Sequence, residues 1–479
     1  MRSSAGDVSV DVYSNALAVG CVLMMAGSLV VALRDELMDR SLGGAGLVAA
    51  RWQLLPADFL WMSMTYLALV GITVTARRAG PVTVSRAQAA WWLPLPVDRL
   101  PMVLPPFRRR LVLVGAAASL AYAPFSVLTA LDRSPWAHVG SAVTFGAGAL
   151  LAVTAAAVLQ LTPGSSPAHR AAVAVGLLPV AVLPLLAPAV WPLVVSLAAA
   201  GVAVAWVLPR IGGVPGTEVQ RGGAVTGHAA ASVFLLDVNE LRRALAGGPR
   251  AGTSRRGARF YARPTRWAVT AVVRADVVAF LRLQPAPVGP LVWLGLCLAA
   301  SLSTPALPVP VQLGVILVAG CATAAGTGTV ARRTAVITEL DLLLPLSPVL
   351  VRCSRMLMPA VGLAVWMSVL TAAFVAVSSA PVSLVLLGAI AGLGMGAGAV
   401  RAAARPATDW TTPPVETPFG AVPRDQASSL LRGTDTTALA MIPVLVALYL
   451  GTVHPWLVLA QLVATSIALT VQASTPPSR

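Results

Sequence analysis

Not one lysine occurs in the 479 residues; all 34 basic side chains are arginine. That absence excludes the phosphate loop GxxxxGK[ST], whose lysine reaches the terminal phosphates of a nucleotide, and the strand lysine of a protein kinase. Cysteine is scarce as well. Cys21, Cys297, Cys321 and Cys353 form no CxxC pair and read as small apolar packing residues, neither a disulfide framework nor a zinc site. His138, His169, His228 and His454 are isolated in sequence, so no local metal motif exists, and neither HExxH nor GxSxG occurs. No cofactor and no enzymatic activity are expected of the chain itself. Acids number only 18, which leaves a formal charge of +16.

What the sequence has in abundance is apolar length. Hydrophobic residues make up 57% and charged ones 11%, with a mean hydropathy of +0.81, too much apolar surface for one water-facing globule. A net charge this basic fits either nucleic acid or a membrane surface. Placement decides: the arginines sit in short loops between apolar runs of spanning length, so membrane lipid is the expected surrounding and nucleic acid is not an expected partner.

About 20 apolar helical residues cross a hydrocarbon core of roughly 30 Å. The first half offers Asn15 to Leu33, Asp58 to Ala76, Leu111 to Leu131, Val139 to Leu161, and a long run from Ala171 to Leu208 that Pro188 and Pro192 turn into two crossings. The second offers Val288 to Ser303, Val309 to Val330, Met356 to Val377, Val382 to Val400, and Thr436 to Val471, broken at GTVHP. The expected fold is an all-α polytopic membrane protein of about twelve transmembrane helices in two related six-helix halves, 1–209 and 288–479. A cytoplasmic connector with amphipathic helices, 210–287, joins them. Within it Phe234, Val238, Leu241 and Leu245 fall on one helical face, and Trp267 to Gln284 forms a second helical stretch before Pro285. Arg401 to Arg432, rich in proline, is expected to be irregular.

Cytoplasmic N- and C-termini leave Arg34, Arg40, Arg51 and Arg133 outside and every other arginine inside, as the positive-inside rule requires of a plasma-membrane protein. The same orientation brings Trp52, Trp61, Trp136, Trp191 and Trp456 to the outer interface, where indoles prefer to lie. Asp58 stands in the first turn after Pro56 and complements the helix dipole there. Polar groups inside the spans are few: Asn15, Ser63, Thr65, Tyr66, Tyr122, Gln312, Ser368 and Gln461. A pathway so lined suits an apolar or amphipathic cargo, and the lack of an intramembrane acid relay argues against ion coupling. Gly388, Gly392 and Gly396 recur every fourth residue and form a flat ridge for helix packing.

Two loops repeat each other. Ala76-Arg77-Arg78 leads to Leu93-Pro94-Leu95-Pro96, and Ala331-Arg332-Arg333 leads to Leu344-Pro345-Leu346-Ser347-Pro348. Parallel six-span repeats are a known transporter construction. In the first loop Trp91 and Trp92 can anchor on a partner, Pro94 and Pro96 stiffen the chain, Arg86, Arg99 and Arg108 to Arg110 offer charge, and Asp98 is a further partner-contact candidate. Pro345, Pro348 and Arg352 take the corresponding places in the second. Leu93, Pro96, Val97 and Arg99, with the weaker Leu344, Pro348, Val349 and Arg352, resemble the Leu-x-x-Pro-Val/Ile-x-Arg stretch of permease subunits of type 2 ABC exporters. The chain looks like an actinobacterial group of uncharacterised membrane proteins allied to them. The second copy lacks a counterpart of Asp98 and spaces its arginine one residue further. That resemblance implies a permease subunit of an exporter, driven by a separate ATPase that docks on these loops. A non-transporting scaffold or regulatory protein derived from a permease is the alternative.

Overall fold

The computed structural model describes residues 47–162, 166–234 except 187, 264–283, 288–334 except 305–306, 343–403, 415–417, 420–422 and 432–474, with scattered positions in 24–35 and 241–245. Among them nine helices are long and apolar enough to cross a membrane. In chain order the helices begin with α1 (Ala57–Ala79), short α2 (Arg86–Trp92), α3 (Leu100–Thr129), α4 (Pro135–Leu161), α5 (Pro167–Leu186) and α6 (Trp191–Gly213). They continue with α7 (Gly216–Phe234), α8 (Ala268–Leu283), α9 (Val288–Ser301), α10 (Val309–Thr327), α11 (Thr329–Thr334), α12 (Pro348–Val377), α13 (Ser383–Ala403), α14 (Thr434–Leu450) and α15 (Pro455–Ser474). The chain is a multi-pass membrane protein.

Twelve crossings are the sequence expectation, and the structure is more reserved. Helices α9 and α14, at 14 and 17 residues, measure about 21 and 26 Å, short of a roughly 30 Å core. The first expected span, Asn15 to Leu33, lies largely outside the described residues, as does the amphipathic stretch from Phe234 to Leu245. Helices α3 and α12 also start earlier than the apolar runs do. Each is 30 residues long and takes in the arginines that the sequence reading left in loops, Arg108 to Arg110 in α3, and Arg352 and Arg355 in α12. Pro105 and Pro106 withhold two helix bonds near the start of α3.

Serine followed by proline starts three helices. Ser134, Ser166 and Ser347 each accept a bond from the backbone N–H three residues on, and the next residue, Pro135, Pro167 or Pro348, supplies the fixed φ of the first helical position. Prolines of this sequence therefore begin helices as well as break them. Two three-residue strands, Val415–Thr417 and Gly420–Val422, occur in the segment expected to be irregular.

The chain divides into two compact units, one centred on Trp61–His228 and one on Ala229–Val415 and Val422–Arg479 together with Gly44–Leu60. The segment 210–287 thus gives most of α7 to the first and α8 to the second. In the first unit α4 is the central helix, 72% buried over its apolar window, and Tyr122 of α3 stacks on its Phe145 at 4.5 Å between ring centroids. In the second, α13 is central at 67%. Here too strand β1 (Leu55–Pro56) pairs in parallel with β2 (Ser303–Thr304), and Gln312 receives a bond from the Leu47 amide. Asp276 of α8 forms a buried ion pair with Arg355 of α12, which docks the amphipathic α8 against the second unit.

Candidate functional site

The loop after α1 is built from its root outward. Gly80 adopts φ +75°, a left-handed conformation that turns the chain as α1 ends. The next four residues, Pro81 to Val84, are all buried. Buried backbone needs partners, and the Gln160 side chain near the end of α4 supplies them. Its Nε2 donates to the Val82 carbonyl and its Oε1 accepts from the Val82 amide, both at 3.0 Å, so one amide side chain replaces a neighbouring strand. Arg110 of α3 donates to the Pro81 carbonyl at 3.0 Å.

Helix α7 closes over this root. A Cβ placed on Gly222 would lie 2.2 Å from Thr83 Cγ2, and one on Gly223 would lie 2.1 Å from the Val84 carbonyl oxygen, so only glycine permits the approach. Thr226 donates to the Ala79 carbonyl at 3.1 Å. Arg77 and Glu218 pair at 2.8 Å with Arg221 nearby at 3.6 Å from the same carboxylate.

Beyond the root, Ser85 and Gln88 form a capping box that starts α2. The helix ends at Trp92. A turn through Leu93 to Val97 follows, and the Asp98 carboxylate accepts the Leu100 amide at 3.0 Å as α3 begins. The expected site residues therefore sort into two groups. Trp91 is 77% exposed and Trp92 52%, and with Pro94, Leu95, Pro96 and Val97 they make an exposed apolar edge on a segment tied at both ends. Asp98, exposed, accepts the Leu100 amide just ahead of α3, and Arg99, half-buried, faces the start of α7, its Nη1 3.5 Å from where a Gly216 Cβ would be.

In the second unit Pro345 is exposed in a turn, Ser347 caps α12, and Arg352 folds back so that its Nε donates to the Pro348 carbonyl at 3.1 Å. Residues 335–342, which lead into this turn, lie outside the described ones. The glycines of the ridge are buried on α13: Gly392 faces Leu363 and Ala364 of α12, Gly396 faces Ala360, and Gly388 faces Thr371.

The sequence pattern points to Arg110 as one of the loop's charges, but not to Gln160 or the Gly222-Gly223 pair as parts of this site. A glutamine closing an apolar run and two adjacent glycines in a polar segment were the available signals. Over residues 55–413 the sequence matches a family described as "Family of unknown function (DUF6297)", a stretch that includes both Leu-Pro turns. No curated protein and no solved structure matches it.

Proposed function

The chain belongs to the DUF6297 family, whose description gives no function, and we propose that it is the membrane subunit of an ATP-driven exporter whose ATPase is a separate protein. In this reading the termini are cytoplasmic and the chain makes twelve crossings in two six-helix halves, the shorter α9 and α14 crossing at a modest cost in hydrophobic mismatch. The observation that carries the proposal is the loop from Gly80 to Arg99. A loop that passes force from a partner needs a stiff root and exposed anchors, and this one is bonded by Gln160, overlaid by α7, and presents Trp91 and Trp92. Missing lysines support a separate energy source.

An apolar or amphipathic cargo fits the state of the polar groups in the spans, several of which are already engaged within the protein. Gln461 donates to the Ala440 carbonyl, Gln312 to the Leu307 carbonyl, and Tyr122 meets Thr65. The test is purification of the tagged chain from its native membrane, followed by identification of bound proteins. An ATPase should accompany the wild type and fall by more than about tenfold when Trp91 and Trp92 are both replaced by alanine, the loss typical of aromatic anchors. Asp58→Asn should retain it, since a carboxylate at a helix start contributes only ~0.3–1 kcal/mol through the dipole. Wild-type protein free of any ATPase, or equal recovery from the tryptophan variant, overturns the proposal.

A further inference from the structure

A cavity of about 550 Å³ opens along α1 in the first unit, within the roughly 300–1,000 Å³ range of small-molecule sites. Ala68, Gly71, Thr75 and Ala79 floor it, Val114 forms part of its wall, and Arg110 stands at the end where Gly80 and Pro81 close α1. From Ala68 to Ala79 the helix rises about 16 Å, close to half the thickness of a ~30 Å hydrocarbon core. The groove therefore has the length of one leaflet's acyl region and is apolar along its run, with the Arg110 cation bordering the end at Gly80 and Pro81.

That cation has unused capacity. Its guanidinium makes one hydrogen bond among the described residues, to the Pro81 carbonyl, and no carboxylate among them pairs with it. Neighbouring Arg77 is different, because Glu218 already holds it. A half-buried arginine beside apolar walls is complementary to an anion that carries a hydrocarbon tail. The small side chains of α1 supply the hollow: a Cβ on Gly71 would meet nothing within 4 Å.

We infer that this groove binds an anionic phospholipid, its phosphate on Arg110 and one acyl chain along Ala68 to Ala79. The site stands whether or not the chain exports anything. Native mass spectrometry of the purified full-length protein, exchanged into mixed micelles of phosphatidylglycerol and phosphatidylcholine with identical acyl chains, tests it. Both lipids offer the same phosphodiester to Arg110, but phosphatidylcholine brings a quaternary ammonium that the guanidinium repels, so wild type should retain phosphatidylglycerol over phosphatidylcholine by about tenfold. Gly71→Phe, which fills the open groove, should lose the retained lipid, and Arg110→Gln should lose the preference. Exposed Arg109→Gln should change neither, and excess inorganic phosphate should not displace the lipid. Equal retention of both lipids by wild type, unchanged retention by Gly71→Phe, or displacement by phosphate alone would overturn the site. Should Arg110→Gln fail to fold, Gly71→Phe decides.

Discussion

The central helices of the two units are buried to nearly the same degree but lean on glycine to different extents. Helix α13 packs through glycine on two faces. Gly392 and Gly396 bring its backbone so near α12 that a Cβ on either would lie 2.4 Å from an α-carbon, of Ala364 and Ala360, while Gly394 and Gly398 face Ala440 and Thr437 of α14. Helix α4 packs through buried alanines, among them Ala149, Ala152, Ala156 and Ala157, and through the Phe145 ring. Lipid offers no hydrophobic drive for helices to associate, so van der Waals fit must hold them. Glycine maximises that fit but leaves no room for any added atom. Alanine contacts leave neighbouring side chains that can move.

The sharpest break of this contrast is Gly392→Leu. Its side chain would meet backbone atoms of Leu363 and Ala364, which cannot step aside without separating α12 from α13. The expected cost exceeds the roughly 1–3 kcal/mol of ordinary overpacking, and fluorescence-detected size exclusion should show little folded protein. A normal monodisperse peak would mean that the two helices separate easily and that the glycine contacts do not hold the unit.

A milder effect is expected at the tightest glycine of α4. A Cβ on Gly146 would lie 2.0 Å from Ser119 Oγ and 2.9 Å from the Gly115 carbonyl oxygen. Because the hydroxyl can rotate and the carbonyl cannot, Gly146→Ala should cost about 1–3 kcal/mol, read as a lower thermal midpoint in detergent. Adding Ser119→Ala should restore part of the loss. No restoration would assign the strain to the backbone carbonyl and make α4 resemble α13. The smallest effect belongs to Gly140 on the same helix, where a Cβ meets nothing within 4 Å. Gly140→Ala should leave the midpoint unchanged or raise stability by up to ~1 kcal/mol through helix propensity. A clear loss there would show that glycine in α4 serves more than contact.

These residues also show what the sequence could and could not reveal. The four-residue spacing of Gly388, Gly392 and Gly396 announced a flat ridge, because helical periodicity converts spacing directly into a face. Apolar runs announced most of the long helices for a similar reason. Helix α7 stayed hidden, since it has no spanning run and docks through Gly222 and Gly223, whose meaning lies in what approaches them. Gln160 was equally mute: an amide that completes the bonding of a loop 78 residues away leaves no local pattern. The early starts of α3 and α12 were obscured by prolines and arginines, which read as loop in sequence yet sit in the first turns of each helix. In the exposed loop the tryptophans and prolines form an apolar edge, while the local bonds of Asp98 and the approach of Arg99 to α7 have no counterpart in any sequence pattern.

The short pairing of β1 with β2 sets a schedule for biosynthesis. Thr304 donates to the Gln53 carbonyl from 251 residues away, and the Leu47 amide reaches Gln312 across 265. At about 5–20 residues per second, a ribosome delivers those partners roughly 13–50 s after Gln53 has been made. During that interval the early segment lacks these partners. Completion of the second unit is therefore tied to the first sixty residues of the chain, and a ribosome that stalls before Ser303 leaves an incomplete product whose stranded segment a quality-control protease can recognise.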